Sequence, residues 1–226
     1  MKSNTRIVSF ETLLVSMLLL LIVPSMASAE WLTPISRLHY TFTMIASLYL
    51  VSTDRTELMV GIILFIPAMT TKWMLAPASA DQQLLAYCVF QAVFLGYVMR
   101  TVYRHLMSAR RIDSEIIYAS VVLYLMFGLA LSLIYYGILV LVPDSFGGKI
   151  MLDLSDQSSA TAVLHELLYF SFVTQTTLGY GDISPTLPVA RTIALLQAIM
   201  GQLYLAVVIA RLVGIHIANV TVDEKT

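Results

Sequence analysis

Charge is scarce in this sequence: with 13 Lys and Arg against 14 Asp and Glu, only 12% of the 226 residues are charged, about half the share of a soluble globular domain. The near balance, a formal −1, leaves no basic excess to meet a phosphate backbone, which excludes nucleic acid as a principal partner. Cysteine is almost absent. Cys88 alone cannot close an intrachain disulfide or build a cysteine zinc site. The four histidines, His39, His105, His165 and His216, lie on separate segments with no nucleophile–base pair or metal motif beside them, so neither an enzyme nor a bound cofactor is expected. Gly147-Gly148-Lys149 lacks the flanking strand and helix on which a phosphate loop is built.

Apolar residues are abundant, at 58% of the chain with a mean hydropathy of +0.83. Stability must therefore come from helix packing in a lipid bilayer. At about 20 residues per span, the apolar runs 7–27, 38–52, 58–75, 84–102, 116–142 and 189–217 predict an all-α membrane protein with about four helices in its front half. Residues 52–57, a charged turn, suit a hairpin between the second and third runs. The first run has two readings. Lys2 and Arg6 before it and Ala27-Ser28-Ala29 at its end match a cleaved secretory signal over 1–29, while small residues equally suit the packing of a retained helix. With the N-terminus inside, Lys2, Arg6, Arg55, Arg100, Arg104, Arg110, Arg111, Arg211 and Lys225 fall on the cytoplasmic side, against Arg37, Lys72, Lys149 and Arg191 outside, as the distribution of positive charge requires. A multi-pass protein of the plasma membrane, or of a bacterial inner membrane, is expected.

The back half is built differently. Its two long apolar runs enclose residues 143–187, too polar to span yet containing a short helical pattern over 160–175. A helix that enters part way and returns as a loop is a re-entrant segment, whose non-helical backbone is tolerated only against protein or a water-filled path. The loop reads Thr176-Thr177-Leu178-Gly179-Tyr180-Gly181-Asp182. A dehydrated cation needs a ring of oxygen dipoles in place of its hydration shell. Aligning successive carbonyls calls for left-handed backbone that Gly179 and Gly181 adopt without steric cost. Leu178 and Tyr180 would then face away, toward Tyr169 and Phe170 on the short helix, and Thr177 offers a carbonyl and a hydroxyl at the inner end. Taken alone, Gly179-Tyr180-Gly181-Asp182 is also what a plain turn looks like; its placement between a re-entrant helix and a long apolar helix argues against that.

The run from Tyr169 to Asp182 resembles the pore helix and selectivity filter of potassium channels, and the back half is similar to their outer helix, pore helix, filter and inner helix. The resemblance implies a pore domain over 113–220, after an N-terminal membrane region over 1–112 and before a short cytoplasmic tail over 221–226. It implies that the carbonyls of Thr177, Leu178, Gly179 and Tyr180, with the Thr177 hydroxyl, hold K+, and that Gly181 and Asp182 shape the outer mouth. One chain supplies one filter strand, so a homotetramer is implied. Many family members carry a pore-helix glutamate that pairs with the filter aspartate; the matching position here is Val173, and behaviour that depends on that pair is not expected.

On the inner helix, which starts at Pro188, Gly201 stands in mid-helix at a cost of about 1 kcal/mol relative to alanine. It resembles the family's hinge glycine, and a close helix contact accounts for it equally well. Gln202 is expected toward the cavity or an adjacent inner helix. Leu205 and Ile209 are candidates for a hydrophobic constriction at the cytoplasmic entrance, with ordinary packing as the alternative. The fourth run carries Arg100 and Arg104 but no regular arginine series, so a voltage sensor of the usual kind is not expected. No ligand-sensing cytoplasmic domain is expected in 218–226. The functional expectation is passive, potassium-selective conduction. Two alternatives stay open: a weakly selective cation channel on the same pore, and a non-conducting sensor or regulatory subunit with a channel-like fold.

Overall fold

The computed structural model describes residues 9–22, 32–51, 55–74, 81–109, 113–148 and 157–223. Seven helices lie among them: α1 (Phe10–Ile22), α2 (Leu32–Val51), α3 (Arg55–Met74), α4 (Asp81–Ser108), α5 (Ser114–Leu141), α6 (Gln157–Gln175) and α7 (Pro188–Asp223). The fold is all-α apart from a two-stranded antiparallel ribbon of β1 (Phe146–Gly148) and β2 (Ile183–Pro185). Several features of the sequence reading fall on residues outside the described set: Lys2, Arg6, Ala27-Ser28-Ala29, residues 52–54 of the charged turn, Arg110, Arg111, Lys149 and Lys225.

Among the described residues, three stretches are long and apolar enough to cross a membrane: Gln82–Ser108, Ser114–Leu141 and Pro188–Gly214. The helices α2 and α3, at 20 residues each, have the length of a span, about 30 Å. Their polar content sets them apart: Arg37 and His39 in α2, Arg55, Glu57 and Lys72 in α3. α1 is a shorter apolar helix of 13 residues. The inner helix is longer than its apolar run. It continues to Asp223, into the stretch expected as a tail, because nothing in Ile217–Asp223 of the sequence breaks a helix.

Helix starts follow their sequence signals. Ser9 caps α1: its hydroxyl accepts from the Thr12 N–H at 3.3 Å while the Thr12 hydroxyl accepts from the Ser9 N–H at 3.0 Å, a reciprocal box that satisfies two otherwise orphaned donors. Asp113 caps α5 by accepting from the Ile116 N–H at 3.0 Å. Pro188 opens α7, where its missing N–H costs nothing.

The chain forms two compact units. One comprises Met1–Phe65, Tyr97–Leu125 and Ala210–Thr226. Within it the Ser16 and Thr43 hydroxyls join at 2.6 Å, and the His39 ring meets the Ser16 carbonyl at 2.9 Å, tying α1 to α2. Tyr97 donates to the Glu57 carbonyl at 2.6 Å, and Arg104 pairs with the Glu57 carboxylate at 3.1 Å. The Arg211 guanidinium donates to the Leu106 and Met107 carbonyls at 2.5 and 2.7 Å, satisfying acceptors at the end of α4 that the helix itself leaves open.

The other unit comprises Ile66–Gly96 and Met126–Ile209 and holds the re-entrant segment. Its core includes an aromatic cluster in which Tyr135, Phe146 and Phe170 meet edge to face, with centroids 5.1 to 5.8 Å apart, an arrangement the ring quadrupoles favour. Phe170 is thus buried in this cluster rather than standing behind the loop.

Candidate functional site

The loop between α6 and α7 starts from the last turn of α6. The Val173 carbonyl accepts from both the Leu178 N–H at 2.9 Å and the Gly179 N–H at 3.3 Å, and the Thr174 carbonyl accepts from the Thr177 N–H at 3.0 Å. Carbonyls that a helix C-terminus leaves open therefore fasten the beginning of the loop. At position 173 it is the backbone, not the side chain, that holds the loop.

Beyond this anchor the backbone alternates. Thr177, Gly179 and Gly181 have φ of 59°, 59° and 80°, while Leu178 and Tyr180 between them keep negative values. A Cβ built on Gly179 or Gly181 would meet nothing within 4 Å. Space within the chain does not demand glycine there; the left-handed backbone does. Thr177 is the exception that the glycine pattern did not announce. A β-branched residue in the left-handed region costs roughly 1–2 kcal/mol, so surrounding structure must hold it there. Its hydroxyl donates to the Thr176 carbonyl at 2.7 Å and accepts from Gln202 Nε2 at 3.2 Å. Residues 176 to 182 are all exposed in the single chain, Leu178 at 55% and Tyr180 at 67%.

The outer end is tied down by the ribbon, in which Phe146 faces Pro185, Gly147 faces Ser184 and Gly148 faces Ile183. Gly147 and Gly148 themselves lie within a strand, which the sequence reading did not foresee, paired to the residues that follow the loop. The Thr186 N–H donates to the Ser145 carbonyl at 2.9 Å, and Arg191 Nε donates to the Pro185 carbonyl at 2.9 Å. At the rim, the Tyr169 hydroxyl and the Asp182 carboxylate are near enough to interact electrostatically.

Behind the last turn of α6 lies a polar cluster that the sequence reading missed. The Tyr135 hydroxyl donates to Gln197 Oε1 at 2.6 Å. Gln197 Nε2 faces the Ser171 carbonyl at 3.0 Å, the Ser171 hydroxyl at 2.8 Å and Gln175 Oε1 at 3.3 Å. The Ser171 hydroxyl donates onward to the Gly128 carbonyl at 2.7 Å. Tyr135, Ser171, Gln175 and Gln197 are each at most 1% exposed, so three helices share one dry network. The only sequence signal was that Gln197 is a polar residue inside an apolar helix, where such groups face protein or water.

The other residues singled out on α7 divide. A Cβ on Gly201 would come 2.3 Å from the Gln175 carbonyl oxygen, so the close approach of α7 to the end of α6 by itself requires a residue with no side chain. Gln202 reaches the inner end of the loop through Thr177. Leu205 and Ile209 are 40% and 59% exposed. Among the described residues no group of His, Cys, Asp and Glu is placed to hold a metal ion.

Comparison with known proteins adds one finding. Residues 138–216, from the last turn of α5 to the lower part of α7, match the model of a family described as ion channel. No curated protein and no solved structure matches the chain. The matched stretch contains α6, the loop, both ribbon strands and the α6 and α7 residues of the polar cluster, which supports ion-channel function for a multi-pass membrane protein.

Proposed function

We propose that the chain is one subunit of a homotetrameric, potassium-selective channel that conducts passively through the loop between α6 and α7. The observation that carries this reading is the alternation of left-handed backbone at Thr177, Gly179 and Gly181. Alternating handedness turns successive carbonyls to one side, and four such rows around an axis supply the oxygen cages that replace a hydration shell. In this reading Thr177, Leu178, Gly179 and Tyr180 contribute carbonyl ligands, Thr177 adds its hydroxyl, and Asp182 lines the outer mouth. Gln202 faces the cavity. Leu205 and Ile209 form the cytoplasmic constriction, with Gly201 as the point on α7 where bending would disturb the contact to Gln175.

The assembly has support of its own. Of the apolar stretch in α7, 22% is buried within the chain, against 56% for α5. A helix that leaves Leu195, Leu196, Ile199, Met200 and Leu203 exposed has faces for neighbouring copies as well as lipid. Residues 113–220 act as the pore domain in this account, and the earlier helices as a membrane-embedded scaffold.

The test is cation uptake into liposomes containing the purified protein. The reading expects potassium uptake well above sodium uptake, lost in Gly179→Asp, whose side chain and backbone preference disrupt the loop. Equal uptake of both ions would favour the weakly selective alternative, and no uptake from an intact tetramer would favour a non-conducting subunit.

A further inference from the structure

The last turn of α6 sets where the loop begins, because the Val173 carbonyl holds the N–H groups of both Leu178 and Gly179. Val173 itself is apolar and cannot tie that turn to anything by a polar bond. The polar ties lie on the residues at either side of it, Ser171 and Gln175, and both run to one side chain on α7: Gln197, within 3.0 Å of the Ser171 carbonyl, 2.8 Å of its hydroxyl and 3.3 Å of Gln175 Oε1.

The orientation of the Gln197 amide is fully determined. The Ser171 carbonyl only accepts, so the nitrogen must face it; the amide oxygen then faces Tyr135, whose hydroxyl donates to it. Flipping the amide would set two acceptors against each other in a site without exposure. The Ser171 hydroxyl donates to Gly128 and is left to accept from Gln197. Packing reinforces this. A Cβ on Gly128 would come 2.7 Å from the Phe172 ring and 3.0 Å from Gln175 Oε1, and one on Gly201 would strike the Gln175 backbone, so α5 and α7 close on the same turn.

We propose that Gln197, aligned by Tyr135, is a positioning residue for ion selectivity: it pins Ser171 and Gln175 and thereby fixes the height and rotation of the turn whose Val173 carbonyl holds the Leu178 and Gly179 N–H groups. This rests on the reading of the loop as a potassium filter. The brace runs to the outer and inner helices, behind the pore helix, and the apolar side chain at 173 adds no tie of its own on the filter side. Selectivity by carbonyl dipoles depends on their number and placement, so a shift of a few tenths of an ångström at the turn alters the ratio of ions admitted.

The experiment measures potassium-to-sodium permeability ratios from bi-ionic reversal potentials of the full-length channel in planar bilayers, for wild type, Gln197→Met, Tyr135→Phe and the double variant. Gln197→Met keeps the length and removes both hydrogen-bonding ends; it is expected to lower the ratio about tenfold, the scale of one buried hydrogen bond. Tyr135→Phe keeps the ring on Phe146 and Phe170, is expected to lower the ratio several-fold, and decides the matter alone if Gln197→Met does not assemble. In the double variant the effect should not exceed that of Gln197→Met, since Tyr135 acts only through Gln197. Leu167 is fully buried in the same helix, so Leu167→Ala opens a cavity there and should lower thermal stability while leaving the ratio within about twofold. A selective wild type with Gln197→Met and Tyr135→Phe unchanged, an additive double variant, or an equal fall in Leu167→Ala would overturn the proposal and spare the filter reading. An unselective wild type would overturn both.

Discussion

The two compact units treat polar groups in opposite ways. In the unit of Met1–Phe65, Tyr97–Leu125 and Ala210–Thr226, the polar contacts described are small links, each joining two helices: Ser16 with Thr43 and His39, Glu57 with Tyr97 and Arg104, Arg211 with the end of α4. In the unit of Ile66–Gly96 and Met126–Ile209, hydrogen bonds from α5, α6 and α7 converge on the last turn of α6. Separate links hold helices side by side and each is replaceable. A converging network, fully satisfied and dry, specifies one arrangement, because any displaced member leaves another unpaired. The most closely specified arrangement among the contacts described is therefore at the anchor of the loop.

That contrast orders the expected effects of substitution on thermal stability in detergent. The largest belongs to Gly201→Val, which drives a branched side chain into the Gln175 carbonyl; backbone yields less readily than a side-chain end, and a loss of about 3 kcal/mol, the upper end for overpacking, is expected, with conduction lost as well. Next comes Arg211→Ala in the other unit, at about 2 kcal/mol for charge-assisted bonds to helix-end carbonyls. Arg211→Lys should recover part of this, since a single ammonium cannot span the carbonyls the guanidinium fork bridges. Ser16→Ala should cost about 0.6 kcal/mol, an ordinary interhelical hydrogen bond in a membrane protein. Smallest is Glu57→Gln, under about 0.5 kcal/mol, because Arg104 is 58% exposed in that pair and exposed ion pairs contribute little. If Glu57→Gln proved as damaging as Gly201→Val, the contrast between separate and converging links would fail.

Much of this architecture was legible in the sequence, and the reasons are physical. Long apolar runs can only be buried helices or spans, so α4, α5 and α7 were readable, as was the re-entrant segment from its polar interruption. Gly179 and Gly181 were readable because left-handed backbone restricts residue type. Thr177 was not, since its positive φ is imposed on a residue that disfavours it. The ribbon escaped because strands of three residues, one of them Phe146-Gly147-Gly148, carry no alternation to detect. The brace escaped for another reason: Tyr135, Ser171 and Gln197 are far apart in sequence, and a glutamine in an apolar helix announces a polar partner without saying which. Phe170 was placed behind the loop by proximity in sequence, while helix geometry turns it toward Tyr135 and Phe146. The extension of α7 to Asp223 was missed because apolarity, not helix propensity, set its expected end.

The most direct test of the central claim is anomalous scattering from crystals of the channel soaked in thallium, a heavy stand-in for potassium. The account predicts a row of peaks on a fourfold axis, between successive carbonyl rings of Thr177, Leu178, Gly179 and Tyr180, with one further peak at the inner end between the Thr177 carbonyls and hydroxyls. An axis without such peaks, or a single site held through water away from those carbonyls, would contradict it.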